Sequence, residues 1–315
     1  MRKFGRGLQG KALCALRKLA EANEENWWKD LLSLWRPSGV EAGNEGLRIA
    51  VRKGYLNFYL RGQSVARIGF ERDCTPYLTT HVKYAFPNET SREYARLSGV
   101  AIRHPKEDRC LAYEGLATLR TLIVQADKKK GAEKSFVDDV VAHNDSVIDL
   151  EMGLPAFDQN KRAPRIDLVA LERDQARLRI VFWEAKLIND PRLVAREVPK
   201  VSKQIDDYML YLKNVERRTG VEDAYHRACN FFLELHDMAK VLNPEIAPLG
   251  EIIAEGAKHR GLLDVDPSPR LLIFDNGSGS GAWTGHLERL RRDFGVPCLV
   301  LPKGSYVLRY PKLLA

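Results

Sequence analysis

The chain has 315 residues, 44% of them hydrophobic and 29% charged, which is enough apolar material for the core of one or two globular domains and excludes disordered, collagen-like and coiled-coil classes. No apolar run approaches membrane-spanning length, and Lys11, Arg17 and Lys18 interrupt the stretch that follows the basic start, so a soluble, cytoplasmic protein with no membrane partner is expected. The net charge of +8 divides into +10 over residues 1–130 and −2 over residues 131–315, and a basic excess so confined suits either a polyanionic partner such as nucleic acid or a solvated surface rich in lysine and arginine.

In chain order, residues 8–35 read as helical, with Leu8, Leu13, Leu16 and Leu19 followed by Trp27, Trp28, Leu31, Leu32 and Trp35, until Pro37-Ser38-Gly39 stops the run. The period then shortens. Leu47 to Val51, Tyr55 to Leu60 and Val65 to Phe70 read as three strands of a small antiparallel meander, separated by Lys53-Gly54 and Arg61-Gly62-Gln63. A helix is expected over about 109–126, and Asp127-Lys128-Lys129-Lys130-Gly131 is the best boundary. Beyond it come a helix at Glu133 to Ala142 and strands at Ser146 to Leu150, Arg165 to Leu171 and Arg177 to Leu187. A helix of roughly twenty residues starts near Pro199, two more cover about 221–240 and 247–260, and a strand at Arg270 to Phe274, a helix at 283–294 and a strand at Pro297 to Leu301 follow. This order argues an α/β mixed sheet flanked by helices, preceded by an α+β N-terminal domain.

The segment richest in chemistry runs from Pro164 to Lys186. In a strand ending Trp183-Glu184-Ala185-Lys186, Glu184 and Lys186 share one face while Trp183 and Ala185 point the other way. If this strand and the preceding one pair around Asp174 to Arg177, by a two-residue or a four-residue loop, opposed positions sum to 351 and Asp167 faces Glu184. Opposed carboxylates repel unless positive charge lies between them, and Mg²⁺ answers that need with oxygen ligands from Asp167, Glu184 and the carbonyl of Ala185. Lys186 stands beside them, placed to orient or deprotonate water and to offset charge on phosphoryl oxygens. An E-x-K triplet alone arises about once by chance in so charged a chain; the apolar strand and the paired aspartate lift this one above Asp127-Lys128-Lys129. The alternative is a buried structural salt bridge.

These residues resemble the core motif of the PD-(D/E)XK nuclease superfamily, the restriction-endonuclease-like fold that includes RecB-type and very-short-patch repair nucleases, and the likeness spans about residues 131–305. Family members place an acid on the helix before the sheet, where Glu133 lies, and many carry a glutamine on the helix after E-x-K with a tyrosine one turn on, as Gln204 and Tyr208 do. In the family a proline usually directly precedes the aspartate, whereas Arg165 and Ile166 intervene between Pro164 and Asp167. Read without the family, Lys200, Gln204, Tyr208 and Tyr211 share one helical face, from which Gln204 can reach Lys186 or a phosphate, or else the helix is simply amphipathic with Met209, Leu210 and Leu212 on the core. Glu133 is also the kind of residue a helix N-terminus favours, and Glu151 is a rival acid. The resemblance implies a nuclease domain over 129–315, behind a basic domain over 1–128 that positions nucleic acid or senses a trigger. It implies Mg²⁺-dependent hydrolysis of DNA, with Mn²⁺ able to substitute, that leaves 5′-phosphate and 3′-hydroxyl ends. The catalytic set is then Asp167, Glu184, Lys186, Gln204 and Glu133, with Asp167, Glu184 and Ala185 on the metal. A role in restriction or antiphage defence follows by analogy, and cutting both strands favours a homodimer. The competing readings are a non-catalytic nucleic-acid-binding or interaction protein of the same fold, and an RNA-directed nuclease.

Weaker signals remain. Cys14, Cys74, Cys110, Cys229 and Cys298 are odd in number and lack C-x-x-C spacing, so neither a disulfide framework nor a zinc site is expected. His226, Cys229 and His236 leave no tetrahedral set on a helix. Gly277 to Gly281 reads as a connector rather than an anion loop. In the meander, Arg48, Arg52, Lys53, Arg61 and Arg67 interleave with Tyr55, Phe58 and Tyr59, a pattern that suits either base stacking with phosphate pairing or a half-buried sheet with solvated cations.

Overall fold

The computed structural model describes residues 3–155, 165–194, 197–279 and 283–309; Pro164 of the motif and Ser280 and Gly281 of the glycine-rich segment lie outside them. The expected helical run over 8–35 is two helices, α1 (Gly10–Glu21) and α2 (Trp27–Leu34). The break comes from Asn26, whose side chain accepts from the backbone N–H of Trp28 at 3.1 Å and Lys29 at 3.2 Å and so starts a second helix. The meander follows as β1 (Arg48–Arg52), β2 (Tyr55–Leu60) and β3 (Gln63–Phe70). Arg61 and Gly62 both have positive φ in the β2–β3 connection, as a two-residue primed turn requires.

The sheet does not stop there. It continues through β4 (Pro76–His81), the short α3 (Val82–Ala85), β5 (Tyr94–Ser98), β6 (Ala101–Arg103) and β7 (Cys110–Ala112), giving seven antiparallel strands in sequence order. The helix expected from 109 therefore begins later, as α4 (Leu116–Asp127), after Gly115 turns the chain with φ 65°. Leu119, Leu122, Ile123 and Ala126 of α4 are buried.

After the Lys128 to Gly131 turn, α5 (Ala132–Ala142) leads into β8 (Val147–Gly153), β9 (Arg165–Asp174) and β10 (Arg177–Leu187). The expected twenty-residue helix is α6 (Lys200–Lys213), cut at Asn214, whose side chain caps the long α7 (Val215–Leu242) through Arg217 N at 2.9 Å. Then come α8 (Glu251–Lys258), β11 (Leu263–Val265), β12 (Arg270–Asp275), α9 (Trp283–Arg292) and β13 (Cys298–Pro302). Five strands lie in the order β13-β12-β10-β9-β8, with β11 beside β10. β8, β9 and β10 are antiparallel while β12 and β13 run parallel to β10, a mixed sheet as expected. Alternation along β10 puts Val181, Trp183 and Ala185 against Phe136, Val137, Val140 and Val141 of α5, and Ile180 and Phe182 in the other core with α6 and α7.

That second core is continuous with the core of the seven-stranded sheet, and Trp35 stacks on Phe232 of α7 at 6.4 Å. A buried charge cluster reinforces the junction. Asp149 of β8 pairs with Arg6 at 2.7 Å and with Arg52 of β1, and accepts from the Tyr225 hydroxyl at 3.0 Å. Burial pushes the Asp149 carboxyl up, but Arg52 and Arg6 outweigh it and hold it below its usual range. Among the described residues no helix is long and apolar enough to cross a membrane, and all five cysteines are free.

Candidate functional site

The β9–β10 hairpin closes with the two-residue loop Gln175-Ala176, and its pairs run from Arg177 with Asp174 to Trp183 with Leu168, the register that sums to 351. One step further, where Asp167 and Glu184 come opposite, the ladder ends and Asp167 substitutes a side-chain bond: its Oδ2 accepts from the backbone N–H of Ala185 at 2.9 Å. A charge-assisted bond to an otherwise unpaired buried donor fixes the carboxylate firmly.

Lys186 completes the group. Its Nζ, on a side chain only 1% exposed, donates to Glu184 Oε1 and to the carbonyl of Ala185 at 2.6 Å, and lies 3.8 Å from both Asp167 Oδ2 and Glu133 Oε2. Asp167, Glu184 and Lys186 thus face one point, and Glu133, at the start of α5, closes it from above the strand ends. Burial pushes the Glu184 carboxyl up to about 7; the nearby Asp167 charge adds to this, and the pull of Lys186 and Tyr208 does not cancel it. Burial also raises the Glu133 carboxyl, more than Lys186 lowers it.

Gln204 reaches neither Lys186 nor its carboxylates. It donates to the Tyr208 hydroxyl at 2.6 Å and to the carbonyl of Arg165 at 3.5 Å, and the Tyr208 hydroxyl in turn meets Glu184 Oε2 at 3.1 Å and Arg165 O. Tyr208 is therefore the direct contact and Gln204 stands behind it. The core side of α6 is Val201, Ile205, Tyr208 and Leu212, while Leu210 is exposed, because the helix turns the Gln204–Tyr208 face inward.

Lys134 is a site residue that the sequence did not single out. Its Nζ is 2.5 Å from both Asp167 Oδ1 and Glu151 Oε1, and although burial alone would lower its pKa, the two carboxylates raise it above the ordinary lysine range. Glu151, the rival acid, is thus joined to Asp167 through Lys134, whereas Glu133 approaches Lys186 directly. Gly62 of the β2–β3 turn lies on the Lys134 stem, where an added Cβ would come within 2.8 Å of Lys134 Cδ. The only sequence signal for Lys134 was its place beside Glu133.

The donor set fits a hard divalent cation. Asp167, Glu184 and the Ala185 carbonyl present oxygens only, and four carboxylates, Asp167, Glu184, Glu133 and Glu151, face two ammonium groups and the Arg192 guanidinium, which lies 3.5 Å from Glu133. In this arrangement the Lys186 ammonium takes the middle of the set. Among the described residues, the one trio of His or carboxylate ligand atoms within 4.8 Å of each other is elsewhere, at Glu89, His104 and Glu107. There Nδ1 of His104 accepts from Lys106 N and Glu107 N, so a neutral ring carries its proton on Nε2, facing Glu89 at 3.6 Å, and Arg109 pairs with both acids. That trio is an ion-pair network.

The remaining expectations sort by burial. His226 and His236 bond the carbonyls of Gly256 and Ala247, and Cys229 is buried in the core. Of the meander cations, Arg48 pairs with Asp138, Arg52 with Asp149 and Arg61 with Asp127, and Phe58 is fully buried, so these do not reach a ligand. Lys53 and Arg67 are exposed. No family model, no curated protein and no solved structure matches the chain.

Proposed function

We propose that this protein is a metal-dependent nuclease that hydrolyses phosphodiester bonds of DNA, built on the restriction-endonuclease-like plan of the PD-(D/E)XK superfamily. The observation that carries the reading is the convergence of Asp167, Glu184 and the Ala185 carbonyl around the Lys186 ammonium at the point where β9 and β10 part. The element order supports it as well: an acid-bearing helix (α5), three antiparallel strands, a helix carrying Gln204 and Tyr208, and a further strand parallel to β10. Mg²⁺ or Mn²⁺, when bound by Asp167, Glu184 and the Ala185 carbonyl, supplies Lewis acidity toward the phosphoryl group.

The chain's own residues do the rest. Asp167 is held by the Ala185 N–H and Lys134, and Glu184 by Tyr208, so neither carboxylate needs to reorganise. Lys186 supplies a positive charge for the attacking water or the phosphoryl oxygens, and Glu133 sits where it can take a proton, its carboxyl raised above its ordinary value by burial. The test is cleavage of plasmid DNA and of single-stranded DNA with Mg²⁺ by the wild type and by Asp167→Ala, Glu184→Ala and Lys186→Ala. The wild type cuts and the three variants lose most of the activity; equal cutting by all four refutes the assignment.

A second reading, a nucleic-acid-binding protein with a nuclease-like fold and no turnover, has one observation on its side: Lys186 occupies the centre of the oxygen set. Calorimetric titration separates the two. Binding of Mg²⁺ or Mn²⁺ that Asp167→Asn abolishes favours the enzyme, and absence of binding favours the module.

A further inference from the structure

A cleft of about 780 Å³ opens between the seven-stranded sheet and the β8–β9 edge, walled by Lys3, Lys53, Tyr55, Arg67, Tyr94 and Arg165. Lys3, Lys53, Arg67 and Arg165 are exposed and make no ion pair among the described residues. This sets them apart from Arg6 and Arg52, which reach the same cleft but are spent on Asp149. The Arg67 guanidinium lies 4.0 Å from the centre of the Tyr55 ring, forming a flat, cationic platform, and Tyr94 is 43% exposed. The floor is polar: Ser64 donates to Asn57 at 2.7 Å, and Asn57 donates to the Tyr59 hydroxyl at 2.7 Å. At its inner end the cleft shares Tyr59, Gly62 and Glu151 with a recess of only about 10 Å³ that has Asp167 in its wall.

We propose that this cleft binds a single strand of DNA, with the inner end of the bound strand beside Glu151, which Lys134 joins to Asp167. Unpaired cations meet phosphates, and aromatic faces set among them meet bases, whose own faces are open only when the strand is unpaired. A duplex would offer the Tyr55–Arg67 platform nothing but backbone and groove edges. The placement of this substrate at Asp167 rests on the nuclease reading; the binding does not.

The experiment keeps them apart. Fluorescence anisotropy is read in EDTA, which prevents cleavage, with a labelled single-stranded DNA of about 12 nucleotides and with the same sequence as a blunt duplex. The single strand binds at least tenfold tighter; Tyr55→Ala weakens it by about fivefold to a hundredfold, and Lys53→Ala with Arg67→Ala flattens its salt dependence by one to two powers of salt concentration. Lys53 and Arg67 are exposed and Tyr55 is half-buried, and circular dichroism of each variant verifies the fold. Equal or tighter duplex binding, or single-strand binding indifferent to these substitutions, overturns the proposal even if the wild type cuts plasmid. Loss of binding in the variants upholds it even if no cleavage is seen, in which case only the nuclease reading fails.

Discussion

Replacing Glu184 by glutamine is expected to stabilise the metal-free protein, by an amount that grows with pH. The ordinary glutamate value is 4.5, and burial together with Asp167 pushes Glu184 up to about 7 in the fold. Between those values the folded protein holds a proton that the unfolded chain has released, so stability falls as pH rises through the window, and above it the whole cost is present. At 1.36 kcal/mol per pKa unit the cost is about 3 kcal/mol, a sizeable part of the 5–15 kcal/mol that is typical of a folded domain. Glutamine cannot ionise. It keeps an acceptor for Lys186 and offers its amide to the Tyr208 hydroxyl oxygen, so it imitates the protonated acid, and the attraction of Lys186 for the ionised carboxylate is already contained in the folded value of about 7. Urea unfolding in EDTA followed by tryptophan fluorescence reads the difference between variant and wild type. The gap widens by about 3 kcal/mol between roughly pH 4 and pH 9, and Mg²⁺ narrows it by stabilising only the wild type. A gap that does not change with pH, or that shifts toward the wild type as pH rises, refutes the charge argument.

Three further outcomes follow from the same contacts. Tyr208→Phe removes a hydrogen bond that lowers the Glu184 pKa, so the upper edge of that stability window moves above 7, measured by repeating the pH series in the Phe background. Asp149→Ala leaves Arg6 and Arg52 buried without their carboxylate and costs about 3–5 kcal/mol in urea unfolding at pH 7. Because the folded pKa of Asp149 is depressed, the wild type's advantage is complete above about pH 4 and shrinks as acid takes the pH through the lower folded value. Gly62→Ala puts a side chain at φ 73° against the Lys134 stem and costs about 1–2 kcal/mol by thermal or urea unfolding; Gly54→Ala, at φ 82° with open space around it, isolates the backbone part of that cost.

What could be read from the sequence was what depends on neighbours along the chain. The β9–β10 register follows from a tight turn between two alternating strands, and with it the meeting of Asp167, Glu184 and Lys186. The α5 face, β12, α9 and β13 are likewise local patterns. Strands β4 to β7 escaped because they bury little: β5 offers only Ala95 and Leu97 to the core, and β7 has no buried residue. Lys134 and Tyr225 escaped because their partners are distant, with Tyr225 meeting Asp149 across 76 residues and Lys134 meeting Asp167 across 33. The meander cations show the limit most clearly. Their alternation with aromatics was visible, but not that Asp138, Asp149 and Asp127, all beyond the meander, would claim Arg48, Arg52 and Arg61.

That division of the cations links the two sheets to the chemistry. β8 carries an extra residue between Val147 and Asp149, a bulge that shifts its register against β9 and turns the Asp149 carboxylate toward Arg52. Arg52 then donates to the carbonyls of Leu150 and Glu151, and Glu151 adopts the left-handed φ of 49°. From there its side chain meets Lys134, which also holds Asp167. A chain of contacts therefore runs from the first sheet to the hairpin carboxylate: Arg52, the β8 bulge, Glu151, Lys134, Asp167. The N-terminal sheet does more than lie beside the site; through Arg52 it helps to fix one of the acids, while Lys53, the next residue along, faces the cleft. Buried and exposed cations one position apart thus serve assembly and binding, and a substitution at Arg52 should disturb both folding and the site, whereas one at Lys53 should disturb only the ligand.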